Sequence, residues 1–327
     1  MSRTVVVTGA SAGVGRAAAQ AFGARGDRVA LLARSESGLA DACAEVEQAG
    51  GAALAIPTDV ADAEQVEAAA ARAERELGPI DVWVNDAMAT VFAPVKELDP
   101  ADVRRATDVT YLGTVWGTLA ALRRMLPRDR GTIVQVGSAL SYRAIPLQAA
   151  YCGAKFAVRG FTDSLRTELL HDGSGVHVTM VQLPAVNTPQ FEWCKTRLSR
   201  HPQPVPPIFQ PEVPAEAIVW AADHPRRELW VARSALKAIV AAKLAPSIAD
   251  RYLARTGYGS QQTDEPIQPD RPCNLYEPVD GLHATHGRFG AQARGRSPEL
   301  WMTEHRGRLA SGAVAAAGLA ALALVRR

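Results

Sequence analysis

Tyr151 and Lys155 stand four residues apart in Tyr151-Cys152-Gly153-Ala154-Lys155, and on a helix that spacing puts both on one face. A lysine cation beside a phenol favours the phenolate, which lowers the tyrosine's pKa. Such a tyrosine can give a proton to a carbonyl oxygen or take one from an alcohol near neutral pH. Ser138 follows the apolar run Gly131–Gly137, and its hydroxyl is available to polarise the same oxygen. Each residue has a plainer explanation alone: a chance pair on a helix, a serine in a turn. Their order downstream of a glycine-rich turn is what argues for chemistry.

That turn is Thr8-Gly9-Ala10-Ser11-Ala12-Gly13-Val14-Gly15, between an apolar β-branched run and a helical stretch. Glycines there let the backbone approach a pyrophosphate, and the helix start presents N–H groups to it. Gly9, Ser11, Gly13, Val14 and Gly15 are therefore candidate dinucleotide ligands; an ordinary Gly-rich turn is the alternative. The next strand ends Ala33-Arg34-Ser35. NAD enzymes commonly place an acid at this strand end for the ribose 2′-hydroxyl, whereas an arginine suits a 2′-phosphate. With no carboxylate at that end, NADP is expected in preference to NAD, with Arg34 as its reader. A solvated surface arginine is the competing explanation.

The elements that must position these groups alternate strand and helix. Strands are predicted at Thr4–Thr8, Arg28–Ala33, Ala52–Pro57, Asp81–Asn85, Gly131–Gly137, Val176–Gln182 and Glu228–Val231. Between them run helical stretches, the longest predicted over Ala101–Leu126 and Tyr151–His171. Near-continuous apolar strands at this spacing predict an α/β fold, a Rossmann-type doubly wound parallel sheet. Six prolines between His201 and Pro214 mark an extended loop where such an enzyme covers its substrate. The chain divides into a catalytic domain over 1–233, an extension of helical and irregular character over 234–308, and an apolar tail over 309–327. Within the extension, Ser234–Ala254 reads as one or two amphipathic helices broken at Pro246. Thr256–Gly295 reads as irregular chain, ordered only by packing on the main domain or partly disordered.

In these residues the chain resembles the short-chain dehydrogenase/reductase family over about 1–233. The matching set is Thr8-Gly9-xxx-Gly13-x-Gly15, Asp59-Val60, Asn85, Ser138 and Tyr151-xxx-Lys155. The resemblance implies that Ser138 holds the substrate oxygen and Tyr151 transfers the proton. It implies that Lys155 holds the nicotinamide ribose and tunes Tyr151, that Asp59 meets the adenine with Val60 beside it, and that Asn85 steadies the sheet. There are departures. Asn85-Asp86-Ala87-Met88 stands where the family commonly has Asn-Asn-Ala-Gly, and Thr110 takes the place of the family's catalytic Asn. Pro184-Ala185-Val186-Asn187-Thr188 resembles the family's segment after the next strand, with Pro184 shaping the wall and Thr188 meeting the nicotinamide carboxamide.

Composition narrows the function classes. The 327 residues carry a net charge of +2 and 6% aromatics, with no basic stripe, so nucleic acid is not an expected partner. Four scattered cysteines and seven histidines form no ligand pair at metal spacing, so no metal is expected and a reducing, cytoplasmic location fits. Leu140, Tyr142, Ile145, Leu147, Phe191, Trp193, Ile208 and Phe209 flank the expected pocket and suggest a small hydrophobic carbonyl or alcohol as substrate. The uncharged stretch Leu309–Val325, flanked by arginines, is at the lower length limit for a membrane anchor and could equally be an Ala-rich or oligomer-forming helix. A homo-oligomer is expected through the two long helices. Two rival readings remain beside an NADP(H)-dependent oxidoreductase: a nucleotide-binding scaffold that has lost turnover, and an epimerase or dehydratase on the same fold.

Overall fold

A computed structural model describes residues 2–232, 239–240 and 243–306. Seven strands form one sheet: β1 (Thr4–Thr8), β2 (Arg28–Ala33), β3 (Ala52–Pro57), β4 (Ile80–Asn85), β5 (Gly131–Ser138), β6 (Val176–Leu183) and β7 (Glu228–Trp230). The order is β7-β6-β5-β4-β1-β2-β3, and every pairing is parallel. The chain winds outward from β1 to β3, then returns to β4 and winds the other way. The switch between β1 and β4 opens a crevice at the carboxyl ends of the strands, where open α/β sheets bind ligands.

Helices cover both faces: α1 (Gly13–Gly23), α2 (Glu36–Gln48), α3 (Ala63–Leu77), α4 (Pro100–Thr107), α5 (Gly113–Met125), α6 (Ala149–His171) and α7 (Glu212–Asp223). Side chains of a strand alternate between faces. Val5 and Val7 accordingly join Phe22, Leu39 and Ile218 under α1, α2 and α7, while Val6 joins Val66, Met125 and Leu165 under α3, α5 and α6. Phe22 is fully buried, and burying such a side chain contributes about 1.5–3 kcal/mol. The helix starts are written in the sequence. Ser35 caps α2 by accepting from Gly38 N (3.1 Å), and Asp62 caps α3 by accepting from Glu64 and Gln65 N. Asp99 caps α4, with Pro100 in the first turn, where a missing N–H costs nothing.

Two expectations need adjusting. The single helix expected over Ala101–Leu126 is α4 and α5 joined by a π-helical turn at Asp108–Leu112. The break expected at Pro246 is present: helical residues 243–244 and α8 (Pro246–Thr256) are separated at Ala245, with Pro246 in the first turn of α8. The stretch Thr256–Gly295 is not merely irregular. Gln262–Pro266 pairs antiparallel with Arg200–Pro202, and Ala293–Arg294 pairs parallel with Ile208–Phe209, which in turn pairs with Ala185–Val186. Leu275, and Leu300 on α9 (Pro298–Glu304), are buried in the two cores of the sheet domain. The apolar tail 309–327 lies outside the described residues. Among those described, no helix is long and apolar enough to cross a membrane.

Candidate active site

The loop from β1 to α1 is built by close approach. Gly9 has φ +73°, and a Cβ there would lie 2.9 Å from the Ala87 Cα after β4. A Cβ on Gly15 would lie 2.5 Å from the Gly9 carbonyl oxygen and 2.9 Å from Asp86 Oδ2. The Thr8 hydroxyl accepts from Asp86 N and Ala87 N (3.0 and 3.1 Å), tying the ends of β1 and β4 together. The first turn of α1 therefore lies directly over the β1–β4 crevice. The Gly15 N–H faces the Asp86 carboxylate, and Gly13 N–H donates to the Ala284 carbonyl (2.9 Å).

One cavity of about 470 Å³ runs along the carboxyl ends of the strands. At one end it is lined by Ser11, Arg34, Ser35, Asp59 and Val60; at the other by Ser138, Tyr151, Lys155, Pro184 and Thr188. Gly9, Gly13, Val14, Asp86 and Met88 line the stretch between. Of the residues singled out from sequence, Gly15, Asn85 and Thr110 are not in the wall. Gly15 packs beneath it. Asn85 accepts from Trp83 Nε1 (2.8 Å) and donates to Thr118 Oγ1 and Gln135 Oε1 (3.1 and 3.0 Å), cross-linking β4, α5 and β5. Thr110, fully buried, donates to Ala89 O (3.0 Å) and accepts from Ala89 N (2.9 Å). Its hydroxyl is thus committed to holding the chain after β4.

At the catalytic end, Ser138 closes β5 and accepts from Leu140 N (3.1 Å). Lys155 Nζ donates to Val136 O (2.6 Å) and stands 5.7 Å from the centre of the Tyr151 ring. The phenol is held above its ordinary pKa, not below it. Burial dominates and Asp86 adds to it, while the Ser138 side chain pulls the other way. Burial pushes Lys155 down to about 8 against the opposing pull of Asp86. The same burial pushes the Asp86 carboxyl up to about 6, with Lys155 and the Gly15 N–H opposing. At neutral pH the site thus presents a phenol O–H, a serine hydroxyl, an ammonium and a carboxylate around one space. That set can hold a carbonyl oxygen and hand it a proton.

At the other end, Arg34 is at the tip of β2 as expected, but its guanidinium is engaged. It donates to Tyr276 O (2.6 Å) and, closely, to Asn274 O. Asp59 pairs with Arg105 (2.6 Å), and Arg105 Nε donates to Leu275 O (3.0 Å). The expected apolar pocket is partly realised: Leu140, Ile145, Phe191 and Trp193 line the cavity, with Pro204, Val205, Pro206 and Pro207 of the proline loop. Leu147, Ile208 and Phe209 are instead core residues, and Tyr142 turns away to hydrogen-bond Glu228. Sequence reasoning left six contributors unassigned. Gln148 and Gln203 add polar groups to the wall, and Asn274, Pro278, Val279 and His283 bring the extension into it. Only the glutamines' positions in predicted pocket segments could have signalled them. Among the described residues, no group of three or more His, Cys, Asp or Glu side chains could hold a metal ion.

Comparison with known proteins follows the same lines. The short chain dehydrogenase family profile matches residues 3–196. The Bacillus subtilis (strain 168) protein called uncharacterized oxidoreductase YxnA is 32% identical over 327 residues, spanning 99% of this chain and 91% of its own. D-threitol dehydrogenase of Mycolicibacterium smegmatis is 34% identical over 186 residues, 57% of this chain and 71% of its own. Among solved structures, one assigned to the short-chain alcohol dehydrogenases, from Sinorhizobium meliloti 1021, is similar at TM-score 0.53. It is 32% identical and covers 56% of this chain and 72% of its own.

Proposed function

The chain belongs to the short-chain dehydrogenase family and is an NAD(P)-dependent oxidoreductase; from that premise we propose that it prefers NADP(H) and interconverts a small hydrophobic carbonyl compound with its alcohol. The observation that carries this reading is the single cavity joining the α1 turn to Ser138, Tyr151 and Lys155. The residues fit a dinucleotide. Val14 lines the cavity at the start of α1, next to the Gly13 amide that Ala284 O already holds, and the cavity extends from Arg34 and Val60 to Pro184 and Thr188. In this reading Gly9, Ser11, Gly13 and Val14 receive the pyrophosphate side. Asp59 and Val60 border the adenine, and Lys155 and Thr188 border the nicotinamide.

When bound, the nicotinamide supplies or accepts the hydride at the substrate carbon. Ser138 donates a hydrogen bond to the substrate oxygen. Tyr151 passes its phenolic proton to that oxygen in reduction and takes it back in oxidation. Its raised pKa keeps the proton on the phenol at neutral pH, the form that reduction requires. Lys155 stays anchored on Val136 O and keeps its charge beneath the ring. Leu140, Ile145, Phe191, Trp193 and the proline loop exclude water and favour an apolar substrate.

The NADP preference rests on Ala33-Arg34-Ser35, which puts no carboxylate at the tip of β2. Two of Arg34's nitrogens are donated to main-chain carbonyls, so a 2′-phosphate meets the guanidinium by its remaining edge or displaces a carbonyl. A homo-oligomer through α5 and α6 completes the reading; Phe156 and Leu170 are exposed on α6. The test is a parallel fluorescence titration with NADPH and NADH, followed by a screen of apolar ketones for NADPH consumption. Tight NADPH binding that Arg34→Ala weakens far more than NADH binding supports the reading. Equal losses remove the role given to Arg34, and NADPH consumed with none of the ketones favours a scaffold.

A further inference from the structure

Residues 274–289 cross the dinucleotide groove and are tied down on both sides of it. On one side Arg34 and Arg105 take three consecutive main-chain carbonyls, of Asn274, Leu275 and Tyr276. Tyr276 Oη donates to the buried Asp102 of α4 (2.9 Å). On the other side Ala284 O accepts from Gly13 N, Arg16 Nη1 donates to His283 O (3.2 Å), and Phe289 N donates to Asn187 Oδ1 (2.9 Å). Between these anchors Pro278, Val279 and His283 face the cavity. The span includes Gly281 at φ +79°, with nothing within 4 Å of where its Cβ would be.

His283 is the polar member of this span. Its ring lies 5.2 Å from Trp193 and packs so closely on α2 that a Cβ on Gly38 would come within 2.6 Å of it. Neither ring nitrogen has a hydrogen-bond partner among the described residues; the Val279 carbonyl approaches without closing one. A half-buried imidazole left this way lacks a partner that the chain itself does not supply. Ser11, Gly13 and Val14, beside it in the same wall, are where the ribose-phosphate portion of a dinucleotide lies in the reading above.

We propose that residues 274–284 are a strap belonging to the cofactor site, closing over the adenosine half of a bound dinucleotide, with His283 hydrogen-bonded to a ribose-phosphate oxygen. The strap has to lift for the cofactor to exchange. This rests on the NAD(P)-binding reading. It adds groups from well beyond residues 3–196, the region that the family profile covers.

The test reads binding, not turnover. Hydrogen exchange of the full chain is followed with and without NADPH, and the amides of 274–284 slow on binding. Stopped-flow release of NADPH, chased with excess NADP, is then measured for wild type, His283→Ala and Tyr276→Phe. His283→Ala weakens NADPH roughly tenfold, one hydrogen bond's worth. Tyr276→Phe removes only the hydroxyl on Asp102, keeps the main-chain carbonyl that Arg34 holds and lies outside the cavity wall, and it speeds release roughly two- to tenfold by loosening an anchor. Wild type that binds neither dinucleotide overturns the cofactor reading and the strap with it. Wild type that binds NADPH with unaltered exchange in the strap overturns the strap alone, with no variant needed. Release and affinity unchanged in both variants do the same.

Discussion

At the scale of single residues, Tyr151 and Asp86 make distinct claims. Tyr151→Phe keeps the ring that packs in the wall and removes its phenolic oxygen. Turnover falls by roughly 10²–10⁴-fold, the usual worth of a positioned acid, while NADPH affinity stays the same; a variant that retains turnover removes Tyr151 from the mechanism. Asp86 is different because its carboxyl, raised to about 6, favours the protonated form in the folded chain. The stability it contributes is full below the ordinary carboxylate value and is lost as the pH climbs through about 6. Wild type therefore loses stability relative to Asp86→Asn between about pH 4 and 7, by at most about 3 kcal/mol for a two-unit shift. The groups facing that carboxyl are Lys155 and Tyr151 on α6 and the Gly15 N–H on α1. Lys155, lowered to about 8, acts in the same sense, because losing Asp86 lowers it further. Urea midpoints of the two proteins that run parallel across this range contradict the account. The Tyr–Lys pair was legible in the sequence because its geometry is local, one turn of one helix. Asp86 in the same wall as Lys155 was not, since nothing in either residue's neighbours along the chain announces that the two share one cavity.

At the scale of elements, the groove depends on how closely α1 is laid on the ends of β1 and β4. Gly15→Ala puts a methyl against the Gly9 carbonyl of the same turn and the Asp86 carboxylate at the end of β4. Overpacking of this kind costs about 1–3 kcal/mol. The melting temperature drops and dinucleotide affinity with it, because the turn shifts as a unit; a variant with wild-type melting and binding shows the approach to be looser than described. The glycine spacing made this element readable, since strand, turn and helix each carry their own signal. The long helix before β5 was less so. Periodicity runs straight through Asp108–Leu112, and the π turn there coincides with Thr110, whose hydroxyl is spent on both backbone atoms of Ala89. A hydrogen bond to the chain after β4 competes with helix geometry in a way that apolar spacing does not record.

At the scale of the whole molecule, the extension and the sheet domain share their interior. Leu275 is fully buried in the core cluster that includes Val66 and Ala106, and Leu300 lies in the cluster that includes Ile218 of α7. Leu275→Ala lowers the unfolding free energy of the whole chain by about 2–5 kcal/mol in a single transition. A separate early transition for the extension, with the main one unmoved, would show two independent units. This joining was hidden from sequence because Arg34 and Arg105 grip main-chain carbonyls, which every residue possesses and none advertises. It also has a consequence in time. A ribosome delivers the turn, Ser138, Tyr151, Lys155 and Thr188 before it delivers His283, and synthesis proceeds at roughly 5–20 residues per second. The growing chain therefore spends roughly 5–20 s with the other residues of its groove made and its roof still to come. A dinucleotide taken up in that interval is sealed in by the arriving strap, so chains stalled before Asn274 load cofactor faster than the finished protein.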